Sequence, residues 1–161
     1  MSDNPYEGLR QLALSVVPAD LGFTPTTDLP DVFGVVADLA LQGTATLVCF
    51  RDGTTSIYYS TGGGAIGMGQ HESIARAASV LIATVQAELG EFSASNDATS
   101  LPAGHCRFTA LTYRGPCTLT AAEPHHQRSD AAAGNVYRAF NAVIGAYRMW
   151  DESQKKENRL D

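Results

Sequence analysis

Residues 60–72 read STGGGAIGMGQHE, and Gly62, Gly64 and Gly67 fall at the spacing Gly-x-Gly-x-x-Gly of a dinucleotide-binding turn. That chemistry needs a parallel strand feeding the turn, backbone close to a pyrophosphate, and a following helix that offers its positive N-terminal end. Two requirements fail. The preceding strand is joined to its predecessor through Asp52-Gly53, a hairpin signal that makes it antiparallel, and no acidic residue closes a second parallel strand about 20 residues further on. A triphosphate loop is disfavoured as well, because Gly-Lys-Ser/Thr does not occur and no lysine lies near.

The density of glycine still requires an account. Gly62, Gly63, Gly64, Gly67 and Gly69 crowd eight positions, and ordering each costs roughly 0.5–1 kcal/mol more than ordering an alanine. One reading is structural: positive backbone torsions and tight passage beneath a neighbouring helix. The other is functional: the glycine N–H groups, with the Ser60 and Thr61 hydroxyls, His71 and the helix start, bind an anion or a partner's backbone. Ser60, Thr61, Gly62, Gly63, Gly64, Gly67, Gly69 and His71 are therefore the candidate ligand- or partner-binding residues.

Other reactive side chains form no recognisable centre. His71-Glu72 begins like a metalloprotease helix, but Ala75 stands where the second histidine belongs, so His71 reads as following a helix cap. His125 and His126 with Glu123 or Asp130 lack a third ligand unless His71 or His105 meets them. Cys49, Cys106 and Cys117, with no Cys-x-x-Cys, lie in apolar strand-like runs and read as buried thiols. No Gly-x-Ser-x-Gly elbow and no nucleophile with its base stands out, so neither a catalytic residue, a metal nor a cofactor is expected.

The elements that must position these residues follow from periodicity. Asn4-Pro5-Tyr6-Glu7 reads as a cap, and Leu9, Leu12, Ala13, Val16 and Val17 as the apolar face of a first helix that Pro18 ends. Val32 to Leu41, Thr44 to Phe50 and Thr54 to Thr61 read as a three-stranded antiparallel meander. Adjacent apolar pairs, Leu47 with Val48 and Ile57 with Tyr58, call for cover on both faces. Ile74, Ala78, Leu81, Ile82, Val85, Leu89 and Phe92 trace a helix over Gln70 to Phe92. A second hairpin, Cys106 to Tyr113 and Cys117 to Ala122, turns at Arg114-Gly115-Pro116, with Phe108, Ala110, Leu119 and Ala121 inward. Ser129 or Asp130 caps a last helix with the stripe Val136, Phe140, Val143, Ile144, Tyr147 and Trp150.

The expected fold is α+β: a central antiparallel sheet of about five strands with three helices on both faces, in the order α-β-β-β-α-β-β-α. All 161 residues read as one domain, with an exposed polar loop over 93–104 and a frayed charged tail over 151–161. A net charge of −6 without a Lys/Arg cluster before Lys155-Lys156 argues against nucleic acid. No apolar run reaches a membrane span and the N-terminus lacks a signal peptide's basic and apolar regions, so a cytoplasmic location is expected.

With the strand, Asp52-Gly53, a second strand and the alanine-bearing helix Ile74-Ala75-Arg76-Ala77-Ala78, the element order from Leu9 to Trp150 is similar to that of the roadblock and longin group of profilin-like domains. The triple glycine departs from the roadblock pattern. That resemblance implies homodimerisation through a sheet edge or helix, and a scaffolding or regulatory role beside a small GTPase or larger assembly. The segment DGTTSIYYSTGGGAIG, Asp52 to Gly67, also looks like one carried by small uncharacterised bacterial proteins. The resulting expectation is a non-enzymatic, self-associating interaction or regulatory domain with a protein partner. The alternative is an anion or small-molecule binder, or an enzyme, that uses the glycine segment.

Overall fold

The computed structural model describes residues 5–95, 101–122 and 131–160. Among these residues three helices, α1 (Tyr6–Leu14), α2 (Glu72–Ala87) and α3 (Ala132–Leu160), flank one antiparallel sheet. Its strands are β1 (Val32–Leu41), β2 (Gly43–Phe50), β3 (Thr55–Tyr59), β4 (Gly64–Ala65), β5 (Ser93–Ala94), β6 (His105–Thr112) and β7 (Gly115–Ala122). They lie in the order β4-β3-β2-β1-β6-β7-β5. The α+β class, the meander and the second hairpin agree with the sequence reading. The strand count does not: β4 and β5 make seven rather than five, because two-residue pairings carry no periodic signal.

Alternation along the strands divides the apolar residues between two layers. Val35, Ala37, Leu47, Cys49, Ile57, Cys106, Phe108 and Ala110 face α2 and α3, meeting Ile74, Leu81, Ile82, Val85, Val136, Phe140 and Val143 in the larger core. Phe33, Val36, Val48 and Leu111 face the other way, toward Ala13 of α1 and Phe23 of the following connection. The pair Leu47 and Val48 thus serves both layers, as its pattern requires. On the larger face α2 and α3 run antiparallel, with His71 against Trp150 at one end and Asn135 Nδ2 donating to Glu88 Oε1 (2.9 Å) at the other.

Several boundaries are corrected. The helix expected from Gln70 to Phe92 begins at Glu72, after a 3-10 turn at Met68–Gln70, and stops at Ala87. A second 3-10 turn then carries Leu89. Pro116, expected in the turn, lies in β7 opposite Leu111. At the C-terminus the charged segment expected to fray continues α3 to Leu160, where Lys155 pairs with Asp151 at 3.1 Å across one helical turn. The proposed caps Asn4, Ser129 and Asp130 lie outside the described residues, and Pro5 itself occupies the cap position of α1. Within the expected 93–104 loop, Ser93–Ala94 pairs with Thr118 and Cys117 of β7.

The first helix differs most in substance. Leu12 and Val17, expected on its apolar face, are exposed. The buried stripe is Tyr6, Arg10 and Ala13, spaced four and three apart. The helix turns a phenol and a guanidinium inward, for a reason that lies in β1.

Candidate functional site

The glycine segment runs from the end of β3 to the start of α2. Ser60 extends the β3 ladder: its N–H donates to the Thr44 carbonyl (2.8 Å) and its hydroxyl accepts from the Thr44 N–H (2.7 Å). The chain then reverses, with Gly62 N–H donating to Tyr59 O (2.9 Å) and Tyr59 N–H to Gly63 O (3.1 Å). The φ values of +109° at Gly62 and +82° at Gly63 explain glycine at both. Beyond the turn β4 lies so close to β3 that a Cβ at Gly64 would stand 2.2 Å from Ile57 O.

Gly67, at φ +70°, opens the 3-10 turn, which buries Met68 in the larger core. Gly69 presses its backbone on the β2–β3 turn, where a Cβ would stand 1.9 Å from Gly53 O. Each of the five glycines therefore has a conformational or steric cause. The close passage, expected beneath a helix, is in fact made against the β2–β3 hairpin at Ile57 and Gly53. Thr61 is exposed at the turn.

His71 stands at the helix cap rather than after it. Its carbonyl accepts from the Ile74 and Ala75 N–H groups (3.1 and 3.0 Å), its ring makes no cap hydrogen bond, and it lies 4.4 Å, centroid to centroid, from the Trp150 indole. Trp150 in turn sits 6.2 Å from Tyr147. The pKa of Tyr147 is raised, chiefly by burial and also by Tyr59 and Asp151. The Trp150 Nε1–H is buried with no acceptor among the described residues. An aromatic cluster of His71, Trp150, Tyr147 and Tyr59 thus ties the two ends of the glycine segment to α3.

Near the start of the segment is a shallow recess of about 230 Å³, lined by Leu39, Leu41, Thr44, Ala45, Tyr59 and Thr61. Its rim is apolar: Leu41, at the tip of the β1–β2 hairpin, is 57% exposed. Ile66, directly after β4, is 78% exposed. Several polar groups of the segment are already engaged, since Ser60 Oγ holds Thr44 while the Gly62, Gln70 and His71 N–H groups bond Tyr59, Gly67 and Met68. The first turn of α2 carries Glu72, which pairs with Arg76. A carboxylate there opposes an anion at the same helix end.

The remaining sequence candidates are dispersed. His105 opens β6, with Nδ1 3.3 Å from the Ala103 carbonyl oxygen, whereas His71 packs, tilted, on Trp150; His125 and His126 lie outside the described residues. Among the described residues no three His, Cys, Asp or Glu side chains gather to hold a metal ion. Cys49 and Cys106 are buried, while Cys117 is half-buried. Burial pushes the Cys49 thiol up to about 12, against the opposing hydrogen bond from Thr55. A thiol so placed is inert at neutral pH.

A polar cluster that the sequence reading missed lies under α1. Asp38, in the middle of β1, is 2% exposed. Its carboxylate accepts from Arg10 Nε (3.0 Å) and Nη2 (2.8 Å) and from the Thr46 hydroxyl (2.6 Å). Tyr6 Oη and Thr46 Oγ1 are 2.6 Å apart, and strand register sets Asp38 between Thr46 and Arg107. The bond to Asp38 raises the Arg10 pKa despite burial, and burial raises that of Tyr6. The available signal was an aspartate inside the apolar run VFGVVADLAL, which demands a buried partner.

Comparison with protein-family models, curated proteins and solved structures returns no match for this chain. No described helix is long and apolar enough to cross a membrane.

Proposed function

We propose that this chain is a non-enzymatic protein-interaction or regulatory module that associates with a second copy of itself. The supporting observation is the sheet edge at β4. An edge strand of two residues is followed at once by the highly exposed Ile66. Short edge strands restrain uncontrolled pairing, and a large apolar side chain in water beside one is a candidate contact for a partner. A two-fold pairing would bring the same patch of each copy together. The resemblance to roadblock and longin domains points the same way, and would add a scaffolding role beside a small GTPase or larger assembly.

Size-exclusion chromatography with light scattering tests the reading. The expected result is a dimer mass at micromolar concentration that Ile66→Asp converts to a monomer with an unchanged circular dichroism spectrum. A clean monomer of the parent chain across that range would sink it. The alternative, an anion or small-molecule binder, has less support because Ser60 and three segment N–H groups already have internal partners. A thermal-shift panel of nucleotides, phosphates and metals separates the two, since a ligand at a hundred times its Kd adds about 2.7 kcal/mol.

A further inference from the structure

The cover on the smaller face has features of a separable unit. Helix α1 buries only Tyr6, Arg10 and Ala13, and two of these three anchor through polar groups to Thr46 and Asp38. Leu14 and Val16 pack partly buried on the same face, and the connection beyond them reaches it through Phe23. Its ring lies 6.2 Å from Phe33 and 6.4 Å from Phe50, with the Arg51 guanidinium 5.0 Å above it. Arg51 Nη1 also donates to the Thr24 carbonyl and to Tyr113 Oη. Two arginine clamps therefore hold the cover. One reaches from α1 to the sheet, the other from the sheet to the connection.

The cover joins β1 through an exposed turn. Residues 24–28 are exposed, and a turn closes at Thr26, whose N–H donates to Leu29 O (3.1 Å) while its hydroxyl accepts from the Leu29 N–H (3.0 Å). Immediately beyond, Gln86 of α2 pins the chain. Its Oε1 accepts from the Asp31 and Val32 N–H groups (3.0 and 2.9 Å) and its Nε2 donates to Asp31 Oδ2 (3.0 Å). These bonds tie the start of β1 to the other layer.

We propose that residues 5–25 form a strap that opens as one unit about residues 26–28, baring Asp38 and the apolar strip Phe33, Val36, Val48 and Leu111, while the α2–α3 face stays folded. Three physical arguments support opening as a unit. On release both Arg10 and Asp38 regain water, so their pairing contributes much less net hold than its geometry implies. A nine-residue helix is too short to persist undocked, so release and unwinding of α1 are coupled. Elements with few buried apolar contacts open below the global unfolding free energy. The proposal does not depend on self-association.

Hydrogen-exchange mass spectrometry on the full chain tests it, with alkylation of Cys49 and Cys106, both in the α2–α3 core, as a monitor of that face. After correction for intrinsic rates, the α1 amides are expected to exchange at least tenfold faster than those of residues 78–85. Asp38→Asn should speed the strap a further tenfold or more without speeding α2 exchange or cysteine alkylation. Arg51→Ala, which leaves the buried cluster intact, should speed α1 as well as the region around Phe23. Equal protection of α1 and α2 in the parent chain would overturn the proposal, as would acceleration in Arg51→Ala confined to the Phe23 region. If Asp38→Asn fails to fold, the parent-chain and Arg51→Ala measurements still decide.

Discussion

The two faces of the sheet are covered by different physics. On one, α2 alone buries Ile74, Leu81, Ile82 and Val85, each apolar and each matched by strand residues or α3. At roughly 1.5–3 kcal/mol per side chain these four contribute about 6–12 kcal/mol before the entropy of ordering them. On the other face α1 buries a phenol, a guanidinium and one methyl group, with Leu14 partly buried beside them, against Thr46, Asp38 and a small apolar strip. Its hydrogen bonds are well formed, but each replaces a bond to water, so their net contribution is small while their demand on geometry is high. Apolar burial on the first face supplies adhesion. Polar matching on the second specifies where one short helix sits.

The largest expected effect comes from the adhesive face. Leu81→Ala should lower stability by about 2–5 kcal/mol, because transfer and cavity terms add at a fully buried site. Urea denaturation followed by circular dichroism measures it, and a loss below about 1 kcal/mol would contradict the placement of the main core.

Asp38→Ala sharpens the contrast. Were α1 to remain docked, a stranded Arg10 would cost about 3–5 kcal/mol. Release of α1 limits the loss, so the expected result is a smaller drop than for Leu81→Ala, together with a lower urea m-value as the native state bares surface. The pair Arg10→Met with Asp38→Leu should recover to within about 1 kcal/mol of the parent or exceed it. A double variant no better than Asp38→Ala would mean that the ion pair itself supplies adhesion.

Alkaline titration probes the adhesive face from within. Cys49 ordinarily ionises near 9 but holds its proton to about 12 when folded. The unfolded chain therefore loses this proton first, so the contribution is intact below pH 9 and is lost as pH rises toward 12. At about 1.4 kcal/mol per pH unit, the Cys49 contribution at pH 10.5 should fall by about 2 kcal/mol. Burial-raised Tyr6 acts in the same sense from the other face. In Cys49→Ala the slope should be shallower; an unchanged slope would assign the effect to the tyrosines.

The glycine segment supplies the smallest effects and separates steric from torsional causes. Gly69→Ala, with its Cβ driven into Gly53 O, should cost about 1–3 kcal/mol, and Gly62→Ala, at positive φ in open space, about 1–2 kcal/mol. Gly69→Ala should in addition shift nearby backbone resonances of the β2–β3 turn. No loss at either site would remove the structural account of the glycines.

Much of this architecture was legible in the residues alone. Val32–Leu41 carries the two-residue period of a strand, although Leu39 and Ala40 also admit a helix, and the stripes from Ile74 to Val85 and from Val136 to Trp150 announce two helices with one buried face each. Doubly apolar pairs such as Leu47 and Val48 required two covering layers before any helix was placed. Local period and side-chain chemistry set these features, because burying apolar surface at a fixed repeat has few solutions.

What the chain alone left open depended on distant neighbours. Leu9, Leu12, Ala13, Val16 and Val17 read as one apolar face, but Leu12 and Val17 are exposed while Tyr6 and Arg10 join Ala13 inside, and it is Asp38, 28 residues from Arg10, that holds the guanidinium there. The Gly-x-Gly-x-x-Gly spacing likewise has one meaning before a pyrophosphate and another against Ile57 O and Gly53 O. A buried charge or a crowded backbone takes its role from the group it meets, and that meeting is set by tertiary structure.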